Sequence, residues 1–529
     1  MSTPAASTPS APATNPVKKP TLALIFLGIV GALQGSDPNI ASTALVGAIR
    51  GLDITVQSLA ASISTLALAA TAISVGLLAD TLGRRKVLQV SLLVAAAGDI
   101  IVVLAPDTPI YLLGRAIAGI GLGGVYGAAF AYIRAASKPG KLSSAIGFFT
   151  AVLMVSTLIF TFIGGALSQL NWRTAFLVVP VVAIACFFVV PFILPKEPRL
   201  KLKSKDILGQ ALLAFGIVAL LVGIGALGKS FTSIESLGGL GLGVILLIGF
   251  FVREAKNANR FFPVSLFRNP VFIGAIIAGF IYNFGNSVVF LQATNLWQYV
   301  TGLKTLEVSL WQLPLLIAGI LSGLVVGRLM SKGLRAGSVL AIGGTVTAIG
   351  LILLGLVHGS TNFFAFLPGL ILAGAGVVIA AVPYGSLILK EAPAQYFGPV
   401  SSSRLTIGQF FYAIGFAAST IVVDKITLGG TVSKLEAAGV PPTQVGTGLD
   451  AVTAYAAQST APTTSLGKEA LSDAVASYGA GFSTMMYVTA ALVFIAGLAG
   501  LVILRRASHR ADDQTIESVK HPAHSTSAG

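Results

Sequence analysis

Fourteen apolar stretches run along this chain, and each is long enough to cross the hydrocarbon core of a bilayer. A membrane-spanning helix needs about 20 residues to cross roughly 30 Å. Because lipid offers no partner to unpaired backbone groups, each crossing segment is expected to be an α-helix. The approximate spans are 21–46, 57–79, 87–105, 110–134, 143–168, 174–194, 207–228, 237–253, 271–299, 309–330, 337–357, 363–389, 401–427 and 481–504. The sequence therefore predicts an all-α polytopic membrane protein with 14 transmembrane helices.

The placement of basic residues supports this count of spans. With the N-terminus on the inner side, 26 of the 34 Lys and Arg residues fall on inner segments and seven on outer segments. Arg115 lies inside a span, and Arg404 is counted with the inner group, at the start of the span 401–427. Cytoplasmic segments typically carry such an excess of positive charge. The net charge of +15 therefore indicates topology, with both termini cytoplasmic, and not a nucleic-acid surface.

The composition also excludes several function classes. Only 10% of the residues are charged, whereas soluble domains have about 25%. A single cysteine, Cys186, excludes a disulfide framework and a cysteine-based metal site. The four histidines, at 358, 509, 521 and 524, form no cluster within the spans, and no nucleophile–histidine–acid arrangement is found. We expect no enzyme activity, no metal and no cofactor.

Two tails and one long connection stand out among the segments outside the spans. Residues 1–20 are rich in Ser, Thr, Pro and Ala, a composition typical of a disordered tail. Residues 429–480, rich in Gly, Thr, Ala and Pro, are predicted to form an extracytoplasmic loop, and residues 505–529 a polar cytoplasmic tail.

The segment between the second and third spans carries a compact motif. It runs from Gly76 through Asp80 and Gly83 to Arg84, Arg85 and Lys86. Gly76 allows two helices to approach, Asp80 can pair with a basic group or a helix terminus, and the cations meet anionic headgroups. The pattern resembles the signature of the major facilitator superfamily, G-x-L-x-D-x-x-G-R-[RK]-x.

Other segments extend the resemblance to the fourteen-span drug:proton antiporter branch of that family. They are Arg115–Gly121, similar to R-x-x-Q-G-x-G with Ala118 in place of glutamine; Trp172-Arg173-Thr-Ala-Phe176, similar to W-R-x-x-F; Phe267–Pro270; and Gly323–Arg328, a degenerate copy of the Gly76 motif. One segment departs from the branch: residues 160–165 keep the glycine pair of its G-P-x-x-G-G motif but lack the glycine–proline bend.

The resemblance implies two six-helix bundles, 21–195 and 261–504, that rock around a midplane cavity, with an inserted helix pair at 196–260. It also implies that the motif of Gly76, Asp80, Gly83, Arg84 and Arg85 gates the cytoplasmic side.

Ionisable groups inside spans are functional candidates, because a charge in the membrane is costly. Three stand out: Asp37, followed by Pro38 in the first span, Asp99 in the third and Arg115 in the fourth. At 1.5 Å per residue, Asp99 and Arg115 differ in depth by about 3 Å, so antiparallel neighbours would pair them. We hypothesise that Asp37 or Asp99 exchanges a proton under the influence of Arg115. The alternative is a fixed structural pair Asp99–Arg115, with Asp37 only bending the first span.

Polar side chains in three spans are candidates for lining a substrate cavity. The candidates are Gln34, Tyr282, Asn283, Asn286, Gln292, Gln409 and Tyr412. The alternative is that these groups form hydrogen bonds between helices. Abundant phenylalanine and the amides favour an amphipathic or lipophilic substrate.

These observations predict a secondary active transporter that exports hydrophobic or amphipathic compounds in exchange for protons, a multidrug-type efflux protein. A second hypothesis, motivated by residues 160–165, is a lipid or small-metabolite transporter without proton antiport. A third is a receptor or scaffold that kept a transporter fold, against which Asp37 and Arg115 argue. We expect a monomer in the plasma membrane, with lipids and a small amphipathic substrate as its partners and protons as the coupling ion.

Overall fold

The computed structural model describes residues 17, 19–54, 57–196, 206–227, 230–257, 260–458 and 462–520. In these ranges every regular element is helical. The α-helices are α1 Pro20–Leu52, α2 Gln57–Leu82, α3 Arg84–Leu104, α4 Thr108–Ala136, α5 Leu142–Leu170, α6 Trp172–Ala175, α7 Val178–Ile193, α8 Ile207–Leu227, α9 Ile234–Lys256, α10 Pro270–Tyr299, α11 Thr305–Trp311, α12 Leu313–Ser331, α13 Ala336–Leu356, α14 Phe363–Glu391, α15 Phe397–Ala437, α16 Pro442–Gln458 and α17 Ser465–Lys520. Two short 3₁₀ helices, Val264–Arg268 and Ala394–Tyr396, precede α10 and α15.

The predicted all-α membrane fold is confirmed. Within the described ranges, fourteen helical stretches are long and apolar enough to cross a membrane, and they match the predicted spans one by one. Three of the stretches combine a short and a long helix: Trp172–Ile193 contains α6 and α7, Glu307–Ser331 contains most of α11 and all of α12, and Ala394–Ala437 contains the second 3₁₀ helix and α15.

Local sequence signals set the starts of several helices. The Asp107 side chain accepts a hydrogen bond from the Ile110 amide at 2.9 Å and so caps α4. Asn269 accepts from the Val271 amide at 2.8 Å ahead of Pro270, the first residue of α10. Both arrangements satisfy amides that the first helical turn leaves unpaired, and proline at the first position loses nothing there.

The helices pack as two groups joined along a seam. In the first group α4 contacts α1, α2 and α3, and α5 packs on α1. In the second group α10, α13, α14, α15 and α17 pack on one another, with α12 against α14. The seam is formed by α2 and α4 against α15, and by α5 against α12. The pair α8–α9 packs together, and α8 touches α2 and α15 across the seam. The exact domain boundaries stay a prediction.

Glycine allows the closest helix contacts in the first group. A Cβ atom at Gly119 would collide with the backbone of Ser64 on α2, and one at Gly121 with the backbone of Ala95 on α3. The glycine-rich run of α4 therefore packs helices together, as small residues do in membranes.

The segment 429–480 differs from the loop that the sequence predicts. Helix α15 continues to Ala437, α16 covers Pro442–Gln458, and α17 begins at Ser465. Leu435, Val445, Val452, Ala470 and Ala474 form a small hydrophobic core between these helices, which we call the helical cap. The many glycine and threonine residues made these helices hard to predict from the sequence. The few apolar residues at helical spacing stabilise them only when the three helices pack together.

The two tails are only partly described. Residues 1–16 and 18 lie outside the described ranges, as do residues 521–529, so the predicted N-terminal disorder is not tested. At the other end α17 continues as a helix to Lys520, and the polar cytoplasmic tail 505–529 stays a prediction.

Candidate functional site

Three buried charged side chains meet between α1, α3 and α4, and we call them the charge triad: Asp37, Asp99 and Arg115. Arg115 Nη1 lies 2.6 Å from Asp37 Oδ1, and Arg115 Nη2 lies 3.0 Å from Asp37 Oδ2. The same Nη1 lies 3.4 Å from Asp99 Oδ1. The relative exposure of the three residues is 1% or less. The predicted pairing of Asp99 with Arg115 is confirmed, and Asp37 joins them as the closer partner.

The neighbours of the triad hold it in place. Ser64 on α2 donates a hydrogen bond of 2.9 Å to Asp37 Oδ2. The guanidinium of Arg115 lies 5.2 Å from the centre of the Phe176 ring. Tyr111, Trp172 and Phe176 contact one another edge to face beside it. Phe176 of the W-R-x-x-F motif thus packs on Arg115, and Trp172 of the same motif packs on Phe176 and Tyr111.

The triad holds two carboxylates but a single cation. If both acids are ionised, its net charge is −1, and one bound proton makes it neutral. Asp99 Oδ2, Arg115 Nε and Tyr111 Oη have no hydrogen-bond partner among the described atoms. An uncompensated buried charge costs several kcal/mol. The arrangement is therefore suited to gaining and losing one proton.

The Gly76 motif joins the two groups of helices at one end, which we call the basic end because Arg84 and Arg85 lie there. Asp80 Oδ1 is 3.2 Å from Arg84 Nη2, and Asp80 Oδ2 accepts a hydrogen bond of 2.5 Å from the Gly398 amide. Gly398 lies in the first turn of α15, where the helix dipole favours a carboxylate. Both partners predicted for Asp80, a basic group and a helix terminus, are thus present.

The two glycines of the motif have separate uses. A Cβ atom at Gly76 would lie 2.5 Å from the Gly398 carbonyl oxygen, so only glycine lets α2 and α15 approach this closely. Gly83 has a φ of 96°, a left-handed conformation that favours glycine and that turns the chain from α2 into α3. Arg85 Nη1 donates to the Leu194 carbonyl at 3.5 Å.

Further contacts close the basic end. The Ser144 amide on α5 donates to Ser331 Oγ on α12 at 2.9 Å, and Arg134 Nη1 donates to the Leu389 carbonyl at 3.2 Å. Gly147 on α5 packs against the backbone of Gly323 on α12. The degenerate copy of the motif at Gly323–Arg328 thus contacts the opposite group of helices, as the Gly76 motif does.

The cavity candidates divide into two kinds. Gln292 is 1% exposed and accepts a hydrogen bond of 2.8 Å from Tyr478 Oη on α17. It therefore forms a hydrogen bond between helices, which was the alternative to lining a cavity. The side chain of Asn283 donates to the Gly279 carbonyl of its own helix at 2.8 Å. The others are half-buried: Gln34, Tyr282, Asn286, Gln409 and Tyr412.

Tyr282 marks the space between the two groups of helices. It packs against Val377, Val378 and Ala381 of α14, and Met154 of α5 packs against the same three residues. A half-buried phenol thus lies where side chains of both groups meet.

Arg404 is a candidate that the sequence does not reveal. Charge counting assigns it to an inner segment, but α15 begins at Phe397, so Arg404 lies about two turns into the helix and is 7% exposed. Its guanidinium faces rings from α4 and α14. The one signal available in the sequence was a basic residue at the edge of an apolar run.

Fourteen apolar helices in two groups, closed against each other at one end and carrying buried charges within the spans, define a membrane transporter. The sequence model of the Major Facilitator Superfamily matches residues 24–416. The chain belongs to this family, and it is a multi-pass membrane protein with the fold of a secondary active transporter.

Several relatives are named for multidrug transport, drug export or efflux. The chain is 26% identical over 402 residues to the multidrug transporter protein MdtP of Bacillus subtilis, covering 74% of this chain and 72% of the relative. It is 25% identical to the tetracenomycin C resistance and export protein of Streptomyces glaucescens, covering 68% of this chain and 67% of the relative. It is 22% identical to the multidrug efflux pump LfrA of Mycolicibacterium smegmatis, covering 85% and 89%.

Solved structures support the fold. The human organic anion transporter MFSD10 (TETRAN) superposes with a TM-score of 0.59 at 14% identity, covering 90% of this chain and all of that chain. The proton:xylose symporter XylE superposes with a TM-score of 0.56 at 12% identity, covering 89% and 94%.

Proposed function

We propose that this protein exports hydrophobic or amphipathic compounds in exchange for protons, by alternating access across the plasma membrane. Three relatives named for multidrug or drug export support the substrate class. The excess of Lys and Arg on alternate segments supports an orientation with the basic end and both termini in the cytoplasm.

The charge triad carries the proposal of proton coupling. Arg115 holds Asp37 through two short contacts, which leaves Asp99 with a single 3.4 Å contact and an unpartnered oxygen. We therefore assign proton exchange to Asp99, with Asp37 keeping Arg115 in position. A proton on Asp99 removes the net charge of the triad and with it the cost of enclosing that charge in a low-dielectric interior.

The triad has a route to the substrate through α1. Gln34 precedes Asp37 by three residues, so the two side chains lie on the same face of the helix. Substrate that contacts Gln34 would shift α1 and the Asp37–Arg115 pair, and so change the surroundings of Asp99. An inward proton supplies about 2.3 kcal/mol per 100 mV, enough for roughly fiftyfold accumulation.

Transport by the purified protein in proteoliposomes tests this function. A panel of cationic, neutral and anionic dyes is offered with and without a pH gradient. We expect gradient-driven accumulation of at least one dye, its loss in Asp99→Asn, and normal accumulation in Asp450→Asn, a matched change at an exposed position of the helical cap. Undiminished accumulation in Asp99→Asn would contradict the assignment.

One observation favours the second candidate, movement of a lipid or small metabolite without antiport. Helix α5 runs from Leu142 to Leu170 without an interior proline, through the segment 160–165 where the antiporter branch has its bend. Movement of fluorescent lipid that ignores the pH gradient, with no gradient effect on any dye, would favour this candidate.

We also propose that the protein works as a monomer among lipids, without an enzymatic activity, a nucleic-acid partner or a cofactor other than protons.

A further inference from the structure

Arg404 lies in a cage of aromatic rings on the seam between the two groups of helices. Its guanidinium carbon is 4.7 Å from the centre of the Phe130 ring, 4.9 Å from that of Tyr384 and 5.9 Å from that of Tyr126. Arg404 Nη1 donates a hydrogen bond to Tyr126 Oη, and Tyr384 Oη donates to the Arg404 carbonyl. We call Tyr126, Phe130 and Tyr384 the aromatic cage.

Within the described ranges the charge of Arg404 has no counter-ion. Among the described residues no carboxylate oxygen lies within 4.0 Å of this guanidinium, whereas Arg115, the other buried arginine, has two acids. Arg404 Nε has no hydrogen-bond partner in the part of the chain that the structure describes, although the residue is 93% buried. Contacts with ring faces stabilise a cation only partly, and a buried charge without a partner is strongly destabilising. One bound anion would therefore neutralise the charge of this site.

The surroundings connect this cation to the cavity candidates. Tyr282 packs against the hydrophobic core that contains Tyr126, Phe130 and Tyr384, and Tyr412 lies about two turns after Arg404 on the same helix. Both residues are half-buried, and phenol hydroxyls donate hydrogen bonds to anionic oxygens. The three rings of the aromatic cage are themselves buried and enclose the guanidinium in apolar surface.

We propose that Arg404 binds the acidic group of the substrate, so that the protein selects amphipathic organic anions that carry a carboxylate or a sulfonate. The guanidinium binds the acidic group, the Tyr282 and Tyr412 hydroxyls complete its hydrogen bonds, and the aromatic cage contacts the apolar part. This specificity rests on the proposed export function. A permanently cationic dye is disfavoured at this site, because it would meet an uncompensated positive charge.

A matched pair of fluorescent probes tests the proposal. Anilinonaphthalene sulfonate and N-phenylnaphthylamine share one aromatic skeleton and differ in the sulfonate. Their dissociation constants are measured on the purified full-length protein in detergent, in chloride-free buffer. We expect the sulfonate to bind at least tenfold more tightly than the neutral probe, because a charge-assisted hydrogen bond to a buried partner contributes a factor of this order.

Variants connect the preference to Arg404. In Arg404→Gln the sulfonate should lose about tenfold or more in affinity while the neutral probe is unchanged, and Arg404→Lys should retain part of the preference. Lys390→Gln, an exposed cation near the basic end, is the matched control and should behave as the unmodified protein. If Arg404→Gln does not fold, the reduced preference for the sulfonate in Arg404→Lys tests the proposal in its place.

Three results would overturn the proposal. One is equal affinity for the two probes in the unmodified protein, and another is an unchanged preference in a folded Arg404→Gln variant. The third is a structural chloride, seen as a rise in Tm with added chloride without any binding of the sulfonate. Because binding is measured without a gradient, these results are independent of the dye-transport assay that tests the export function.

Discussion

Replacing Arg115 with glutamine should destabilise the protein more than any other single change in the charge triad. The replacement removes the guanidinium that lies 2.6 Å from Asp37 Oδ1 and 3.4 Å from Asp99 Oδ1, and it leaves two buried carboxyl groups without a cation. Removing one partner from a buried ion pair typically costs about 3–5 kcal/mol. We expect a loss of this size in the free energy of unfolding of Arg115→Gln.

A second substitution should restore much of that loss. In the double variant Arg115→Gln with Asp37→Asn, one carboxyl group remains, and it becomes neutral by binding one proton. We expect recovery of about 2 kcal/mol relative to Arg115→Gln, since interacting buried charges show coupling energies of this order. Arg50→Gln, at an exposed position in the last turn of α1, is the control and should cost at most about 1 kcal/mol.

Denaturant titration in detergent micelles measures these free energies. Trp172 reports on the triad directly, because its ring lies 6.1 Å from that of Tyr111, next to Arg115. The charge-balance argument is refuted if Arg115→Gln stays within about 1 kcal/mol of the unmodified protein, or if the double variant is less stable than the single one.

Three further predictions follow from other contacts. Gly76→Val should push α2 away from Gly398 and open the basic end, and this should lower dye transport at least about tenfold. Gly241→Ala, where a Cβ atom meets open space, is the control and should have no effect. Cysteine labelling at the basic end, measured together with transport rates, checks this prediction. Gln292→Leu should lower the free energy of unfolding by about 1 kcal/mol, because it removes the hydrogen bond that joins α10 to the Tyr478 hydroxyl, while the range of transported dyes stays the same; a changed range would show that Gln292 lines the cavity. Burial raises the pKa of Asp206, but hydrogen bonds from Arg253, the Gly209 amide and Asn257 outweigh it and lower the pKa overall. The stabilisation by the ionised Asp206 is therefore complete above its unfolded pKa of about 3.9, and it is lost as the pH falls through the lower folded pKa. Between pH 7 and pH 3 the Tm of Asp206→Asn should therefore fall less steeply with pH than the Tm of the unmodified protein. Identical slopes of Tm against pH in the two proteins would contradict this.

Part of the candidate site could be predicted, because the position of a residue within an apolar span gives its depth in the membrane. Counting residues from the ends of two antiparallel spans placed Asp99 and Arg115 at nearly the same depth, and they pair. The partners of Asp80 could be predicted in kind, as a basic group and a helix terminus. That the terminus belongs to α15, 318 residues further along the chain, could not.

Other features depended on which faces of the helices meet. Asp37 proved to be the closer partner of Arg115, and Gln292 forms an interhelix bond with Tyr478 instead of lining a cavity. Residues 429–480 became mostly helical because their apolar positions pack on α15 and α17. Each outcome depends on contacts between residues far apart in sequence.

The sequence by itself determined the membrane, the fourteen helices and the family, because a span of about 20 apolar residues and a short motif are local properties of the chain. Only the tertiary structure decided that two acids share Arg115 and that, within the described ranges, no acid pairs with Arg404. The physical reason is that hydropathy sets how deep a side chain lies in the bilayer, whereas packing sets the direction in which each helix faces. The charge balance of a buried group depends on that direction.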